Sequence, residues 1–343
     1  MLTLDDIFDQ PAAIASIRRA YASGRLPHGL VFAGPAGVGK ATTARALAGL
    51  FLCERPAGDA PCGACAGCRA MAAEPPAHPD YHVVTRDLIR YHDKTGKSKG
   101  VELSINVIRP ELVEPAGRKA VMGRGKVFVV EQAELMNPAA QNALLKTLEE
   151  PAGRTLIVLL TDQIDLLLST IRSRSQVVRF GSLPEATVVR ELHARGVDPA
   201  VAARAARFTR GSLGVALRWV EDDVVDPAGE LAAQVDALFA GTPPDDLPGW
   251  FKRAAEAYAG KQMERDPLGS KDAATREGLA LYLNVAAEHV RRLLPGLTDA
   301  AALERACAAI DALARAESYL DGNVNASLVF QQLAVTLERE AVA

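Results

Sequence analysis

The sequence has few aromatic residues, few cysteines and no excess of positive charge, and each shortage excludes a class of protein. Aromatic residues make up 5% of its 343 residues, and 39 Lys and Arg stand against 42 Asp and Glu. The net charge of −3 excludes DNA binding through bulk positive charge alone, although it leaves room for a local basic patch. Five cysteines, most of them clustered, are too few for a disulfide-stapled scaffold.

Long apolar runs are also missing. The nearest candidate for a membrane helix, Leu156–Ile171, is interrupted by Asp162, Gln163 and Asp165 and falls short of the ~18 uninterrupted apolar residues that a span requires. The first residues are acidic, whereas a secretion signal begins with basic ones. We therefore expect a soluble, cytoplasmic protein.

The first half of the sequence alternates short apolar runs with helical patterns. Such runs are typical of strands in a parallel sheet that helices cover on both faces, so an α/β fold is expected. One helix is predicted over Lys40–Leu52. Another follows Asn137, a good N-cap, has Pro138 in its first position and ends before Pro151. The predicted strands are 29–33, 81–85, 126–130, 155–160 and 176–180.

Beyond residue 183 the strand signal fades and amphipathic helices remain. Helix breaks are predicted at Gly196 and Gly211, and the stretch 241–249, rich in Pro, Gly and Asp, is the best linker candidate. The length itself suggests two or three domains. Residues 86–100 are polar and are predicted to form a flexible basic loop. Its lysines are Lys94, Lys97 and Lys99.

A glycine-rich turn follows the first predicted strand and opens the helix at Lys40. Its sequence, Gly34-Pro-Ala-Gly-Val-Gly-Lys-Ala41, has P-loop spacing in the strand–turn–helix setting that this motif requires. Backbone N–H groups of such a loop surround phosphate oxygens, and the helix N-terminus and the lysine add positive charge. The next position, where a Ser or Thr hydroxyl holds Mg²⁺, is Ala41. Thr42 is a poor substitute, because one residue turns a helix by about 100°.

The second half of an ATPase site is expected at the end of a later strand. The predicted strand 126–130 ends in Glu131-Gln-Ala-Glu134, so Glu131 takes the place of the magnesium-shell Asp and Gln132 that of the base. An amide cannot accept a proton as a carboxylate does, and Glu134 lies three residues along. The plainer alternative is a strand end with ordinary acidic surface residues. On the first interpretation the chain hydrolyses ATP poorly, and nucleotide binding stays open.

A cluster of cysteines follows the P-loop helix. Its spacing of 9, 3 and 3 residues joins Cys53, Cys62, Cys65 and Cys68. Four thiolates complete a tetrahedral Zn²⁺ site with no open position, which predicts structural zinc. An iron–sulfur cluster, a redox thiol pair and unrelated buried cysteines are the alternatives. His78 and His82 lie nearby, but four sulfurs suffice. Cys307 stands alone in a helical pattern and is predicted to be a core residue.

Several stretches together resemble one known family. They are the phosphate loop, the cysteine insert after its helix, and the block Asn137-Pro-Ala-Ala-Gln-Asn-Ala-Leu-Leu-Lys-Thr-Leu-Glu-Glu-Pro151, to which Ser169-Thr-Ile-Arg-Ser-Arg-Ser175 adds. Over about residues 8–217 the chain resembles the delta-prime subunits of bacterial DNA polymerase III clamp loaders. The resemblance implies an α/β AAA+ P-loop core with a zinc-binding insert, a helical lid and an all-α C-terminal collar domain. The implied boundaries are 1–182 for the core with its zinc module at 53–68, 183–240 for the lid and 241–343 for the collar.

The resemblance also implies a task and partners. Clamp loaders use ATP to open a ring-shaped sliding clamp and place it on primed DNA. The implied partners are the gamma, tau and delta subunits and, through the assembled complex, the clamp and primer–template DNA. Delta-prime subunits are largely non-hydrolysing and supply an arginine to a neighbour's ATP site from a Ser-Arg-Cys motif. Here the motif reads Ser173-Arg174-Ser175, so Arg174 is the implied trans-acting residue. Without the resemblance it is a surface arginine close to Arg172 and Arg179.

Two further positions bear on the choice of subunit. Active family members carry a lid arginine in a Gly-Ser-x-Arg pattern, where this chain has Gly214. Thr161 matches the polar residue that faces the phosphates in active members. The implied nucleotide-binding residues are therefore Gly34, Pro35, Ala36, Gly37, Val38, Gly39, Lys40, Ala41, Thr42 and Thr161.

Two other functions stay open. An active gamma- or tau-type ATPase would need Glu131 or Glu134 to replace the missing groups. An unrelated P-loop enzyme, such as a kinase with a zinc knuckle, would need an acceptor-substrate pocket that the sequence does not mark. On the favoured interpretation the chain is a component of the DNA polymerase III holoenzyme, associated with the nucleoid, with negligible ATPase activity of its own.

Overall fold

The computed structural model describes residues 1–92, 102–242, 244–267, 269–322 and 324–342. The chain folds as two compact units. The first comprises Met1–Thr187 with Gly211–Gly214, and the second comprises Val188–Arg210 with Val215–Ala343. The lysines of the predicted basic loop, Lys94, Lys97 and Lys99, lie outside the described residues.

A five-stranded sheet forms the centre of the first unit. Its strands are β1 (Gly29–Ala33), β2 (Tyr81–Val84), β3 (Lys126–Val130), β4 (Thr155–Thr161) and β5 (Gln176–Arg179). The order across the sheet is β2-β3-β4-β1-β5, and every neighbouring pair is parallel. All five predicted strands are confirmed, with ends that differ by no more than one residue.

Helices cover both faces of this sheet, which explains why its strands are apolar at nearly every position. The helices of the first unit are α1 (Pro11–Ala22), α2 (Lys40–Leu52), α3 (Ala66–Ala72), α4 (Ile89–His92), α5 (Ile105–Ile108), α6 (Glu114–Ala116), α7 (Pro138–Glu149) and α8 (Ser169–Arg172). On β4, Leu156 and Val158 join the core formed with α1 and α2. Their neighbours Ile157 and Leu159 join the core on the other face, formed with α5 and α7. The predicted fold class, a parallel α/β core with helices on both faces, is thus confirmed.

The two helices predicted for this half are confirmed. Helix α2 has the predicted bounds, and α7 begins as expected, because the Asn137 side chain accepts a hydrogen bond of 2.9 Å from the Ala140 N–H. The prediction of a loop from residue 86 was wrong at its start. Arg86–Leu88 forms a 3-10 turn that continues into α4, and burial of Ile89 in the core stabilises this turn.

From residue 185 onward the described chain is helical. The helices are α9 (Glu185–Ala194), α10 (Pro199–Phe208), α11 (Leu213–Glu221), α12 (Val225–Phe239), α13 (Leu247–Arg265), α14 (Lys271–Leu293), α15 (Ala300–Asp321) and α16 (Ala326–Val342). In the second unit α13 and α14 pack closely at Gly278, where an added Cβ would lie 3.1 Å from the Cα of Ala255. Phe251 and Phe330 join this helical core, with ring centroids 4.5 Å apart.

Two smaller expectations about this region need correction. The predicted linker ends earlier than residue 249, because α13 begins at Leu247, where the Asp246 carboxylate caps it by accepting the Gly249 N–H at 2.8 Å. Cys307 is exposed on α15 rather than buried in the core. None of the described helices is long and apolar enough to cross a membrane.

Candidate nucleotide and metal sites

The P-loop lies at the carboxyl end of β1, beside the end of β4. Ala33 pairs with Thr161, and the Gly34 N–H donates to the Thr161 carbonyl at 3.2 Å. Gly37 and Gly39 have positive φ angles of 69° and 105°. At Gly34 an added Cβ would lie 2.2 Å from the Phe180 carbonyl oxygen. Glycine is therefore required at these three positions for steric reasons. A residue with a side chain would not adopt this loop conformation without strain.

Lys40 is buried beneath this loop, and its ammonium group is fully engaged. Nζ donates to the carbonyls of Gly34 at 2.5 Å and Pro35 at 2.6 Å, and to Oδ1 of Asp162 at 2.7 Å. Sequence analysis missed Asp162, and the available signal was its place directly after Thr161. It also missed Gln10, whose amide holds the carbonyls of Val38 at 3.3 Å and Gly181 at 2.7 Å and so fixes the back of the loop.

The threonine hydroxyl groups near Lys40 differ in exposure. Ala41 and Thr42 are exposed in the first turn of α2, while Thr43 is buried and donates to the Gly39 carbonyl at 2.8 Å. Thr161 is buried at the end of β4, and its Oγ1 accepts the Gln163 N–H at 3.1 Å. The structure thus places Thr161 beside the loop, with its hydroxyl engaged in a local turn, and its role in nucleotide binding stays a prediction.

The end of β3 carries the acidic positions expected for the other half of the site. The Glu131 N–H donates to the Val84 carbonyl at 3.0 Å, and Gln132 is exposed with a positive φ of 50°. Oε2 of Glu134 is buried, and among the described residues it has no hydrogen-bond partner. The Glu134 carboxylate therefore lies three residues after Glu131 in the sequence, whereas the position directly after Glu131 holds the amide of Gln132.

Gly214, at the position where active family members have an arginine, packs directly on the P-loop. Its N–H donates to the Gly37 carbonyl at 2.8 Å, and an added Cβ would lie 2.9 Å from the Gly37 Cα. A side chain of any size is excluded here unless the backbone moves. The chain therefore supplies a backbone clamp where a phosphate-sensing arginine would stand.

Arg174 lies at the opposite edge of the sheet from the P-loop. It precedes β5, whose first residue pairs with Leu30 near the start of β1, so it belongs to the amino-terminal edge. Its Nε donates to Oε1 of Glu149 at 2.5 Å, and Nη1 donates to the Thr170 carbonyl at 3.2 Å. The side chain remains 36% exposed. This guanidinium cannot serve the P-loop of its own chain.

The four clustered cysteines form one compact group. They are Cys53, Cys62, Cys65 and Cys68, and their sulfur atoms all lie within 4.8 Å of one another. Tetrahedral zinc with Zn–S bonds of about 2.3 Å requires sulfurs about 3.8 Å apart, and the Cys62 and Cys68 sulfurs are 3.9 Å apart. The Cys62 N–H donates to the Cys53 sulfur at 3.2 Å, and the Cys68 N–H to the Cys65 sulfur at 3.3 Å. The donor set fits a closed four-thiolate metal site.

Local hydrogen bonds favour the thiolate form at Cys62. Burial instead raises the pKa of the Cys53 thiol and raises that of the Cys68 thiol to about 12, so these two would have to lose their protons to bind a metal. The backbone N–H groups of Ala64 and Cys65 point at the Cys62 sulfur and lower the pKa of this thiol to about 6. His78 is buried beside the knuckle; its Nδ1 accepts the Asp80 N–H at 3.1 Å, and its Nε2 has no partner among the residues that the structure describes. His82 instead stacks on the Phe128 ring. Neither histidine belongs to the sulfur group.

Comparison with known protein families matches residues 9–184, about half of the chain, to the family described as DNA polymerase III, delta subunit. The chain belongs to this family. It is 38% identical over 177 residues to the DNA polymerase III subunit delta' of Pseudomonas aeruginosa, which covers 51% of this chain and 50% of that protein. It is 35% identical over 205 residues to the Escherichia coli subunit delta', covering 60% of this chain and 58% of that protein. The resemblance to delta-prime subunits is thereby confirmed.

Other similarities are weaker or shorter. The chain is 33% identical over 183 residues to the gamma/tau subunit of Mycobacterium tuberculosis, covering 53% of this chain and 29% of that protein. The matches span about half the length of the delta' relatives. A solved DNA polymerase III gamma subunit-related protein from Thermotoga maritima is 17% identical, with a TM-score of 0.45, covering 97% of this chain and all of that one. The domain boundaries and the ligand roles of the site residues stay predictions.

Proposed function

We propose that the chain acts as a delta-prime-type subunit of a DNA polymerase III clamp loader. It hydrolyses ATP poorly in its own pocket and supplies Arg174 to the ATP site of a neighbouring subunit. The observation that carries this proposal is the position of Arg174, exposed and oriented at the sheet edge opposite its own P-loop. From that edge it can contact only a nucleotide that another subunit holds.

The pocket of the chain itself supports the first part of the proposal. Ala41 offers no hydroxyl for magnesium, Gln132 offers no carboxylate as base, and Gly214 offers no cation for the phosphates. The loop geometry that cradles phosphates is kept, together with Lys40. Each missing group serves a different part of hydrolysis. Restoring one of them alone should therefore not restore ATP hydrolysis.

The chemistry of Arg174 supports the second part. A guanidinium is always protonated and presents N–H groups in a fixed plane, so it stabilises charge that develops on a transferring phosphoryl group. Glu149 contacts Nε and Nη2, and the Thr170 carbonyl accepts from Nη1, so each terminal nitrogen keeps one further N–H that could donate to a ligand. Arginine fingers are worth ~10³–10⁵ in rate in other nucleotide hydrolases.

We assign zinc to the cysteine group and a structural role to the metal. Cys53, Cys62, Cys65 and Cys68 would hold it, and bound zinc would cross-link the end of α2 to the start of α3. The proposed partners are the gamma or tau and delta subunits, with the sliding clamp and primer–template DNA reached through the assembled complex. The proposed location is the cytoplasm, at the replication machinery.

The test is a reconstituted loader that contains Arg174→Ala in this chain. We expect the DNA-dependent ATPase rate to fall at least tenfold without loss of assembly, because a transition-state charge loses its partner. Arg172→Ala is the matched control, since Arg172 lies two residues away and pairs with Asp165 on the surface. Arg174→Lys keeps the charge but not the planar fork and should recover little. An unchanged rate in Arg174→Ala would remove the trans-acting role.

The ATPase rate of the isolated chain separates this proposal from a gamma- or tau-type enzyme. The delta-prime interpretation expects a rate no higher than that of Lys40→Ala. Robust turnover that Lys40→Ala abolishes would instead assign hydrolysis to this chain, with Glu131 or Glu134 in the missing roles. The similarity to gamma/tau subunits makes this comparison the relevant control.

A further inference from the structure

Asp162 stands out in the first unit, because its carboxylate contacts the P-loop lysine although the proposed function gives it no role. It directly follows β4, and Oδ1 lies 2.7 Å from the Lys40 Nζ. The Lys40 side chain is 7% exposed and the Asp162 side chain 42% exposed, so the pair lies at the mouth of the loop. Of the three acceptors that the described residues offer this ammonium, the carboxylate carries a full negative charge and the other two are carbonyls.

An ammonium group has three N–H donors. Here they go to the Gly34 carbonyl, the Pro35 carbonyl and Asp162, so the donor capacity of Lys40 is used within the chain. A nucleotide phosphate that takes its usual place on this lysine must displace at least one of these acceptors. The carboxylate is also a fixed negative charge beside an incoming anion, and it repels that anion at short range.

A second contact closes the loop from the other side. The Gly214 N–H donates to the Gly37 carbonyl, and the two backbones touch so closely that a Cβ at Gly214 would overlap the Gly37 Cα. The phosphate loop is therefore held in place by the chain's own groups at both ends. Of these groups, Asp162 is the one whose charge can be removed with little change in shape.

We propose that Asp162 is an internal competitor of nucleotide phosphates for Lys40, and that it lowers the affinity of this chain for ATP and ADP. The inference rests on the proposed function, because it concerns the pocket assigned there to weak or no hydrolysis. It adds a specific cause for weak nucleotide binding, the contact of the Asp162 carboxylate with Lys40, to the missing groups that would weaken hydrolysis. Asp162 accordingly sets the affinity for nucleotides, and its effect acts through Lys40.

The test is direct titration of the isolated full-length chain with a fluorescent ADP analogue and with ATP, each with and without Mg²⁺. Asp162→Asn keeps the size of the side chain and removes its charge. We expect it to bind both nucleotides about two- to fivefold more tightly than the chain without the substitution, the range for release of one partly exposed ion pair. The gain should be present without Mg²⁺, because the competition is for the lysine.

Two variants control this measurement. Asp165→Asn removes a neighbouring carboxylate that is 93% exposed and paired with Arg172, and it should leave affinity unchanged. Lys40→Ala with Asp162→Asn should show no gain, because the contested ammonium is gone. The melting temperature of Asp162→Asn shows whether this variant folds. If it does not fold, Asp162→Ala replaces it in the titration.

Three results would overturn the inference. Equal affinity in Asp162→Asn and the unchanged chain would show that the carboxylate does not compete. Weaker binding in Asp162→Asn only when Mg²⁺ is present would assign the carboxylate to the metal instead. A gain that persists without Lys40 would assign the effect to general charge. The trans-acting role of Arg174 is measured separately in the assembled loader, so either claim can fail while the other stands.

Discussion

Ser175 follows the proposed trans-acting arginine, in the position that the resemblance gives to a cysteine. Its Oγ is buried, and in the described part of the chain no group forms a hydrogen bond with it. The strand β1 begins beside it at Gly29, where an added Cβ would lie 3.0 Å from this oxygen. A buried hydroxyl without a partner costs about 1–3 kcal/mol of stability, whereas a thiol in the same place behaves as a small apolar group.

We therefore expect Ser175→Cys to raise the free energy of unfolding by about 1 kcal/mol, because it replaces an unsatisfied hydroxyl by an apolar side chain of similar shape. Urea unfolding followed by circular dichroism measures the change. Ser173→Cys is the control, since the Ser173 hydroxyl is exposed and already donates to the Thr170 carbonyl. A loss of stability in Ser175→Cys would mean that the hydroxyl has a partner, such as a water, that a thiol cannot satisfy.

At the scale of elements, two arginines contact the end of α2, where the cysteine module (residues 53–68) begins. Arg154 donates to the Phe51 carbonyl at 2.6 Å and lies 3.8 Å above the Phe51 ring, while Arg124 donates to the Cys53 carbonyl at 3.2 Å. Both carbonyls belong to the end of α2, where cations also interact favourably with the helix dipole. The module is therefore attached to the helix that carries Lys40.

Zinc in this module should appear as one ion per chain by elemental analysis of protein purified without chelators. We expect its removal to lower the melting temperature, because the closed thiolate site contributes folding free energy. Cys307→Ser serves as the control, since Cys307 is exposed and lies outside the sulfur group. A chain without metal, in which the four clustered thiols react freely, would contradict the assignment.

Zinc affinity should depend on pH in a defined direction. The pKa of Cys62 is lowered to about 6 by backbone N–H groups, so this thiolate is present in the folded chain at neutral pH. The stability that it contributes is complete above its ordinary value and is lost as the pH falls toward about 6. Zinc retention should fall as the pH falls, because protons compete with the metal for all four thiolates, and a colorimetric chelator at stepped pH values measures this loss. Retention that did not depend on pH over the range in which the chain stays folded would contradict thiolate ligation.

The elements also show what a sequence can and cannot predict. Strand β1, the P-loop and α2 are encoded locally, because apolar runs, glycines and a helix start occur in one short stretch. The sulfur cluster is encoded by spacing. By contrast, Asp162 meets Lys40, and Gly214 meets Gly37, through chain folding over more than a hundred residues. The place of Asp162 after Thr161 indicates a strand end, but no local pattern shows which residue it will contact. The exposure of Cys307 likewise depends on which face of α15 turns outward.

At the scale of the whole molecule, the parallel sheet separates two chemistries. All carboxyl ends of its strands meet at the edge that holds the P-loop, and all amino ends meet at the edge that holds Arg174. One chain can therefore receive a nucleotide at one edge and complete a different nucleotide site at the other. Under the proposed function, loss of hydrolysis at the first edge would leave the second intact, and a subunit with a degenerate pocket would still be required for ATPase activity in an assembly.

This separation predicts that Glu149, which no sequence motif marked as functional, matters to a reaction outside its own chain. Its carboxylate holds the Nε side of Arg174 at 2.5 Å, so it fixes the direction of the guanidinium. In a reconstituted loader, Glu149→Gln should lower the DNA-dependent ATPase rate by less than Arg174→Ala, because the charge remains and its orientation weakens. The double variant should be no slower than Arg174→Ala alone, since the two residues act as one unit.

Glu150→Gln, an exposed neighbour at the end of the same helix, should leave the rate unchanged. If the effects of Glu149→Gln and Arg174→Ala instead multiplied, Glu149 would act on the reaction by a route of its own, and the ion pair would not be its means of action.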